Sequence, residues 1–263
     1  MLKGKTIWIN GASSGIGKAL AVECAKKGAD LIISSRKKDA LDDVKKICEK
    51  NSVKVKVVML DLESPSSIDV ATAEVLESVN VIDYVFLNGG LSQRSYIVDS
   101  PIDIDRKMME INYFGNIYLA KKILPFFINQ GHGHFTVTTS LTGVFGIPLR
   151  SSYAASKHAL HGFFDTLRAE QKANNINVTI VCPGFIQTDI SKNALDGKGN
   201  PTGKMDEAQS NGMSTQKCAK KMISATLNRK KEVYIGGKEL LMVYFKKYLP
   251  FLYYFLASRV KPN

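Results

Sequence analysis

The chain has 263 residues, of which 44% are hydrophobic, and it carries a net charge of +12. This size suits one or two domains, and because we find neither a low-complexity linker nor a solenoid-type repeat, one domain is favoured. Four widely spaced cysteines without a C-x-x-C pair argue against a disulfide or zinc framework and indicate neutral thiols in a reducing compartment.

The start of the chain predicts a strand, a glycine-rich turn and a helix. Residues 5–10 are a short apolar run and residues 18–25 have a helical pattern. Between them lies GASSGIG, which places Gly11, Gly15 and Gly17 in the spacing G-x-x-x-G-x-G. Glycines let a backbone approach a pyrophosphate closely, and the helix behind them offers free N–H groups. The layout is that of a dinucleotide-binding unit.

Strands and helices then alternate along the chain. Further strands are predicted at residues 30–35, 54–60, 83–87, 133–139, 177–182 and 232–235, and the longer helices at residues 39–50, 103–130, 152–174 and 215–228. This order predicts an α/β fold, a doubly wound seven-stranded parallel sheet with helices on both faces. Ligands of such sheets bind beyond the carboxyl ends of the strands.

A serine, a tyrosine and a lysine stand out in the middle of the chain. Ser140 ends the strand at residues 133–139, and Tyr153 and Lys157 are four residues apart at the start of the next helix. Positions four apart share one helix face. A free tyrosine has a pKa near ~10, and a neighbouring ammonium lowers that pKa because it favours the phenolate. A serine hydroxyl beside them can hold a carbonyl oxygen.

With the glycine turn, these residues make the chain resemble the classical short-chain dehydrogenases/reductases over nearly its whole length. The C-terminal tail resembles, more weakly, the tails of their hydroxysteroid-dehydrogenase-like branch. The resemblance implies one Rossmann-like, NADP-binding domain over residues 1–263 and a catalytic group of Asn112, Ser140, Tyr153 and Lys157. Asn112 would hold a water that links Lys157 to solvent; the alternative is a polar side chain bonded to helix backbone. The chain departs from the family pattern at two positions. Asn10 stands before the first glycine where the family usually has Thr, and Gly89 is the middle residue of Asn88-Gly89-Gly90 where the family usually has Ala. Both residues are small or polar enough to keep the turn.

The resemblance also implies a set of cofactor contacts. Asp61 would contact the adenine amino group, and the loop at residues 183–188 would cap the nicotinamide, with the Thr188 hydroxyl on the carboxamide. The second strand ends at Ser35-Arg36 without a carboxylate. Because an acidic residue there binds the ribose of NAD and a basic one accommodates the phosphate of NADP, we expect NADP or NADPH. The alternative is that residues 36–38 are a solvated helix start.

The complete set of residues placed against the dinucleotide is Gly11, Ser13, Ser14, Gly15, Ile16, Gly17, Ser35, Arg36, Asp61, Leu62, Asn88, Gly89, Gly90, Tyr153, Lys157, Pro183, Gly184, Ile186 and Thr188.

Two segments lie outside these motifs. Residues 189–214 are polar and irregular, which predicts a mobile lid over the substrate.

Residues 239–263 form a hydrophobic basic tail. From Lys217 onward the chain has eleven Lys and Arg and two Glu, a net charge of +9. No nucleic-acid module is matched, and Lys246 and Lys247 interrupt the apolar run that a membrane span needs. Two interpretations of the tail stay open. It makes a peripheral contact with an anionic membrane, or it packs on the pocket or on a second subunit.

The sequence therefore predicts an NADP-dependent oxidoreductase that interconverts a carbonyl and a secondary alcohol on a small or hydrophobic substrate. The alternative is a non-catalytic dinucleotide-sensing or membrane-surface scaffold, which the presence of both Tyr153 and Lys157 disfavours.

The family resemblance implies that the protein assembles as a homodimer or homotetramer. The start of the chain runs directly into a strand without room for a signal peptide, so we expect a cytoplasmic protein. The four histidines show no metal-ligand pattern, and no metal is expected.

Overall fold

A computed structural model describes residues 2–259 and contains a seven-stranded parallel sheet. The strand order is β3-β2-β1-β4-β5-β6-β7, which confirms the predicted doubly wound α/β fold. The strands are β1 Thr6–Asn10, β2 Asp30–Ser35, β3 Val55–Met59, β4 Tyr84–Leu87, β5 Gly133–Thr138, β6 Ile176–Pro183 and β7 Glu232–Ile235.

Ten α-helices accompany the strands in the described part of the chain. They are α1 Gly15–Ala25, α2 Lys38–Glu49, α3 Pro65–Ser78, α4 Ile102–Met109, α5 Gly115–Gln130, α6 Ser151–Glu170, α7 Glu207–Ser210, α8 Thr215–Leu227, α9 Leu241–Tyr248 and α10 Pro250–Ala257.

Two hydrophobic layers enclose the sheet, one on each face. Successive residues of a strand point to opposite faces, so Trp8 joins the layer under α3, α5 and α6, while Ile7 and Ile9 join the layer under α1, α2 and α8. All three side chains are fully buried. Because both faces are covered, the carboxyl edge of the sheet is where polar side chains from several strands meet in one cleft.

The helix predicted over residues 103–130 is interrupted. Glu110–Phe114 forms one π-helical turn between α4 and α5. Such turns insert an extra residue into the helix and are frequent at functional sites. This one carries Asn112, whose fully buried side chain bonds to the loop after β4 rather than to its own helix.

The tail packs on the protein by one face only. Val243 of α9 and Tyr253 of α10 are buried, and the Tyr253 hydroxyl donates a hydrogen bond of 2.7 Å to the Gly146 carbonyl. The opposite face exposes aromatic side chains, among them Tyr248 and Phe251. Residues 260–263 of the predicted tail lie outside the described residues. No helix between residues 2 and 259 is long and apolar enough to cross a membrane.

Candidate functional site

A cavity of about 790 Å³ opens at the carboxyl ends of β1, β4, β5 and β6. Every predicted site residue contributes to its wall except Gly17 and Asn112, which lie behind it. The glycine turn and the end of β2 line one end of the cavity, and Ser140, Tyr153 and Lys157 line another part of it. The structure thus brings together predicted site residues that are up to 177 positions apart in the printed sequence, from Gly11 to Thr188.

The glycine turn after β1 forms a cradle that larger residues would fill. Gly11 has φ +66°, and a Cβ placed on it would lie 2.8 Å from the Gly89 Cα of the loop after β4. A Cβ on Gly17 would strike the Gly11 carbonyl. Ser14 precedes α1 without a side-chain hydrogen bond to the helix, so the first N–H groups of α1 stay free to bind a phosphate. These residues fit a dinucleotide.

Asn10 ties this cradle to the next strand. Its buried Oδ1 accepts hydrogen bonds from the backbone N–H groups of Asn88 at 2.6 Å and Gly89 at 2.5 Å. Its Nδ2 donates to Asn116 Oδ1 at 3.3 Å. The sequence suggests only that Asn10 is tolerated in place of Thr. The structure shows that it fixes the loop that would lie along the cofactor, a role that its position before the first glycine could have signalled.

Ser140, Tyr153 and Lys157 converge at the middle of the cavity wall. The Lys157 ammonium lies 5.8 Å from the centre of the Tyr153 ring and donates a hydrogen bond of 2.9 Å to the Thr138 carbonyl. Ser140 Oγ accepts hydrogen bonds from the N–H of Thr142 at 3.2 Å and from its hydroxyl at 3.0 Å. Those two bonds orient the serine hydroxyl at the end of β5, as the predicted catalytic role requires.

Burial controls the protonation of this group. It raises the pKa of the Tyr153 hydroxyl, and the Ser140 side chain and the charges of Arg94 and Arg150 oppose that rise. Burial also lowers the pKa of Lys157 to about 8, because a buried ammonium loses its hydration. Tyr153 is therefore a protonated phenol at neutral pH. Acidification of Tyr153 by Lys157 stays a prediction, whereas the two arginines were not predicted at all.

Asn112 acts on the loop that follows β4. Its Oδ1 accepts from the Leu91 N–H at 2.7 Å, and its Nδ2 donates to the Leu91 carbonyl at 2.9 Å and to Ser156 Oγ at 3.0 Å. The alternative that Asn112 bonds its own helix is wrong. Its side chain instead holds the loop next to the Lys157 ammonium: a Cβ placed on Gly90 would lie 3.0 Å from Asn112 Oδ1 and 3.3 Å from Lys157 Nζ. That Asn112 holds a relay water stays a prediction.

Residues 189–214, the predicted lid, contribute to the cavity wall and are anchored by side chains that the sequence analysis missed. Asp206 Oδ2 accepts hydrogen bonds from Arg94 Nη2 at 2.6 Å and from Arg150 Nη2 at 2.9 Å. Gln209 Nε2 donates to Thr188 Oγ1 at 3.2 Å and also to the Ile186 carbonyl. Arg94 and Arg150 both line the cavity, but no sequence signal relates them to a carboxylate at position 206.

Three potential ligand groups also meet on the other side of β6. His161, Cys182 and Glu232 each offer one atom within 4.8 Å of the others, a cluster that sequence spacing does not reveal. His161 presents Nε2 to Cys182 Sγ and Nδ1 to Glu232, both at 3.7 Å. Burial raises the pKa of the Cys182 thiol. A protonated thiol and a bridging imidazole are typical of a hydrogen-bonded cluster, in agreement with a structural role for His161.

Comparison with known proteins identifies the family. A family model described as "short chain dehydrogenase" matches residues 5–199. The human "Dehydrogenase/reductase SDR family member 7" is 38% identical over 260 residues, which cover 97% of this chain and 77% of the relative. The Drosophila melanogaster "Dehydrogenase/reductase SDR family protein 7-like" is 37% identical, with 98% and 81% of the two chains covered.

Solved structures agree. The alcohol dehydrogenase of the archaeon Thermococcus sibiricus, complexed with 5-hydroxy-NADP, matches with a TM-score of 0.76 and 25% identity over 89% of this chain and 97% of that one. A short-chain dehydrogenase/reductase from Burkholderia phymatum in complex with NAD has the same fold, with a TM-score of 0.85 at 20% identity and 100% and 97% coverage. The chain belongs to the short-chain dehydrogenase/reductase family of oxidoreductases that act on alcohol and carbonyl groups with a nicotinamide dinucleotide.

Proposed function

We propose that the chain is an NADP-dependent oxidoreductase that interconverts a carbonyl group and a secondary alcohol. The observation that carries this proposal is the shared cavity: Ser140, Tyr153 and Lys157 line its wall together with the glycine cradle. A non-catalytic dinucleotide sensor needs the cradle but has no use for a buried Tyr–Lys pair beside an oriented serine. The enzyme is therefore the better account of the residues present.

The side chains divide the work of carbonyl reduction among them. NADPH supplies the hydride when it is bound. Ser140 holds the substrate oxygen: its Oγ accepts two hydrogen bonds from Thr142, and its own proton, which makes only a long bond of 3.5 Å to the Pro183 carbonyl, can turn to the substrate. Tyr153 gives its proton to that oxygen as a general acid. Burial raises the pKa of Tyr153, so the phenol is protonated at neutral pH and has a proton to give. Lys157 would bind the nicotinamide ribose.

The preference for NADP rests on the end of β2. Ser35 occupies the position where a carboxylate would bind the ribose of NAD, and Arg36 and Lys37 line the same part of the cavity. Two structural relatives point the same way: the Thermococcus sibiricus enzyme was solved with 5-hydroxy-NADP, and L-sorbose reductase from Gluconobacter frateurii, with a TM-score of 0.79 and 25% identity, was solved with NADPH and L-sorbose.

The test is oxidation of NADPH and of NADH by the purified protein across a panel of ketones, aldehydes and quinones. We expect turnover of some members of the panel with NADPH, slower turnover with NADH, and an alcohol as product. Tight binding of NADPH without oxidation by any carbonyl would support the scaffold alternative instead. Gel filtration and sedimentation of the same protein test the homodimer or homotetramer that the family implies.

For the tail we propose a peripheral contact with an anionic membrane, reached from the cytoplasm. The exposed face of α9 and α10 carries Tyr248, Phe251 and Tyr254. Lys246 lies 4.7 Å from the ring of Tyr254, and Lys247 lies 5.3 Å from that of Tyr248. Aromatic side chains beside lysines suit the interface of a negatively charged bilayer.

Vesicle sedimentation tests the tail. We expect the protein to pellet with phosphatidylcholine vesicles that contain phosphatidylserine, less with phosphatidylcholine alone, and less again after Lys246→Glu and Lys247→Glu. Equal pelleting with both vesicles, or none with either, would contradict the membrane contact. Dissociation of an oligomer by the same substitutions would assign the face to a second subunit instead.

A further inference from the structure

Two arginines share one carboxylate in the wall of the cavity. Arg94 follows β4, Arg150 precedes α6 and Asp206 belongs to the lid. The side chains are only 8%, 14% and 8% exposed, respectively. Asp206 is the only acidic residue between positions 2 and 259 that pairs with either arginine. The cluster therefore carries one positive charge in excess, and a buried charge without a partner is costly.

The positive charge without a partner is that of the Arg150 guanidinium. Arg94 is fully engaged, because its Nε and Nη2 donate to Asp206 and its Nη1 donates to Ser92 Oγ and to the Gln93 carbonyl, both at 2.7 Å. Arg150 makes one side-chain hydrogen bond within the described residues, from Nη2 to Asp206. No enclosed side-chain nitrogen in this part of the chain lacks a partner, so the remaining N–H groups of Arg150 open into the cavity.

Arg150 lies where a substrate would be held. It lines the cavity together with Ser140 and Tyr153, and its charge acts on the Tyr153 hydroxyl. Burial and the neighbouring Arg94 lower the pKa of Arg150 to about 10, so the guanidinium still carries its charge at neutral pH. The side chains nearby on this wall include Phe145 and Ile147, which are apolar. Apolar side chains beside a guanidinium with free N–H groups suit a ligand that is largely apolar and carries one anionic group.

We propose that Arg150 forms a subsite for a carboxylate, so that the substrate is an apolar carbonyl compound bearing a carboxylate group. This inference rests on the proposed reductase function. A planar guanidinium with free N–H groups matches a carboxylate, and the bond is strong because both partners are charged. The phosphates of the dinucleotide are accounted for elsewhere, at the glycine cradle and at Arg36.

A purely structural role for Arg150 makes a different prediction. If Arg150 only latched the lid, Arg150→Gln and Asp206→Asn would both loosen the lid, and neither would discriminate between a carboxylate substrate and its ester. If Arg150 binds a carboxylate, the two substitutions act in opposite directions. Arg150→Gln removes the cation, whereas Asp206→Asn removes the anion that competes for it.

The experiment compares benzoylpropionic acid with its methyl ester as substrates, with NADPH in excess. The measured quantity is the ratio of kcat/KM for the acid to that for the ester, which cancels general damage to the fold or the lid. We expect a ratio above one for the unmodified protein, a fall of about tenfold or more for Arg150→Gln, and an unchanged or higher ratio for Asp206→Asn. The ratio for Arg150→Lys should lie between those of the unmodified protein and Arg150→Gln. Arg106 is exposed, and the ratio for Arg106→Gln should match that of the unmodified protein.

Two results would overturn the subsite. One is a ratio in Arg150→Gln that equals the ratio of the unmodified protein, which would mean that Arg150 affects only the fold or the lid. The other is turnover of the ester but not of the acid, together with no binding of the acid to the NADP complex by calorimetry; the reductase function would then stand without the subsite. Binding of the acid that depends on Arg150, without turnover of any carbonyl compound, would support the subsite and refute the reductase.

Discussion

Replacement of Asn112 by Ala should destabilise the protein more than any surface substitution. Asn112 is fully buried, and its side chain satisfies both the N–H and the carbonyl of Leu91, at 2.7 Å and 2.9 Å. A polar group left without a partner costs about 1–3 kcal/mol when it is fully buried; since Leu91 is half-buried, we take the low end for both groups and predict a loss of about 2 kcal/mol in the free energy of unfolding. That is a large share of the roughly 5–15 kcal/mol typical of a folded domain.

Urea unfolding followed by circular dichroism measures this loss, with the slope of the transition as a check that the unfolded state is unchanged. Asn174→Ala is the matched control, because Asn174 is exposed and we expect an effect within about 0.5 kcal/mol. A loss below about 1 kcal/mol for Asn112→Ala would refute the reasoning, since it would mean that Leu91 finds other partners. Activity should fall as well, because the neighbouring Gly90 of the same loop lies against the Lys157 ammonium.

Three further predictions concern the cofactor, acid stability and the lid. Arg36→Ser should raise KM for NADPH about tenfold and leave KM for NADH unchanged, while Lys38→Ser, outside the cavity, changes neither. His134 is buried with its pKa lowered from 6.5 to about 4. Its neutral form therefore contributes stability that is complete above the ordinary pKa and is lost as pH falls towards 4, about 2 kcal/mol by pH 5, and His134→Gln should abolish that slope. Gln209→Ala should accelerate amide hydrogen exchange around Thr188, because their 3.2 Å bond is lost.

Each of these has a clear contrary result. An equal loss of affinity for both cofactors after Arg36→Ser would remove the basis for NADP preference. Identical acid profiles of unmodified protein and His134→Gln would show that another group titrates. Unchanged exchange after Gln209→Ala would mean that the loop at residues 183–188 is held without the lid.

The sheet could be predicted because its signals are local. The strands predicted at residues 30–35 and 232–235 agree with β2 and β7, since short apolar runs bounded by polar turns leave little choice of structure. The spacing of Tyr153 and Lys157 is also a local signal, because positions four apart lie on one helix face. Residues that follow neighbouring parallel strands then meet at one edge of the sheet, which is why most predicted site residues line one cavity.

The rest could not be predicted because tertiary contacts decide it. The π-helical turn at Glu110–Phe114 accompanies bonds from Asn112 to a loop 21 positions away in sequence, and no periodicity within the helix signals them. The bonds from Asp206 to Arg150 and Arg94 span 56 and 112 positions, respectively. Without the fold, charged residues so far apart have no visible relation, although they shape the substrate end of the cavity.

The central claim is that the Tyr153 hydroxyl transfers the proton in a cleft that independently holds NADPH. The most direct test is a single-turnover measurement on Tyr153→Phe, with NADPH binding followed by fluorescence and its oxidation by absorbance after addition of a substrate found in the panel. The account predicts that NADPH still binds to the variant while its oxidation slows by at least about a thousandfold. Oxidation at the rate of the unmodified protein would contradict the account.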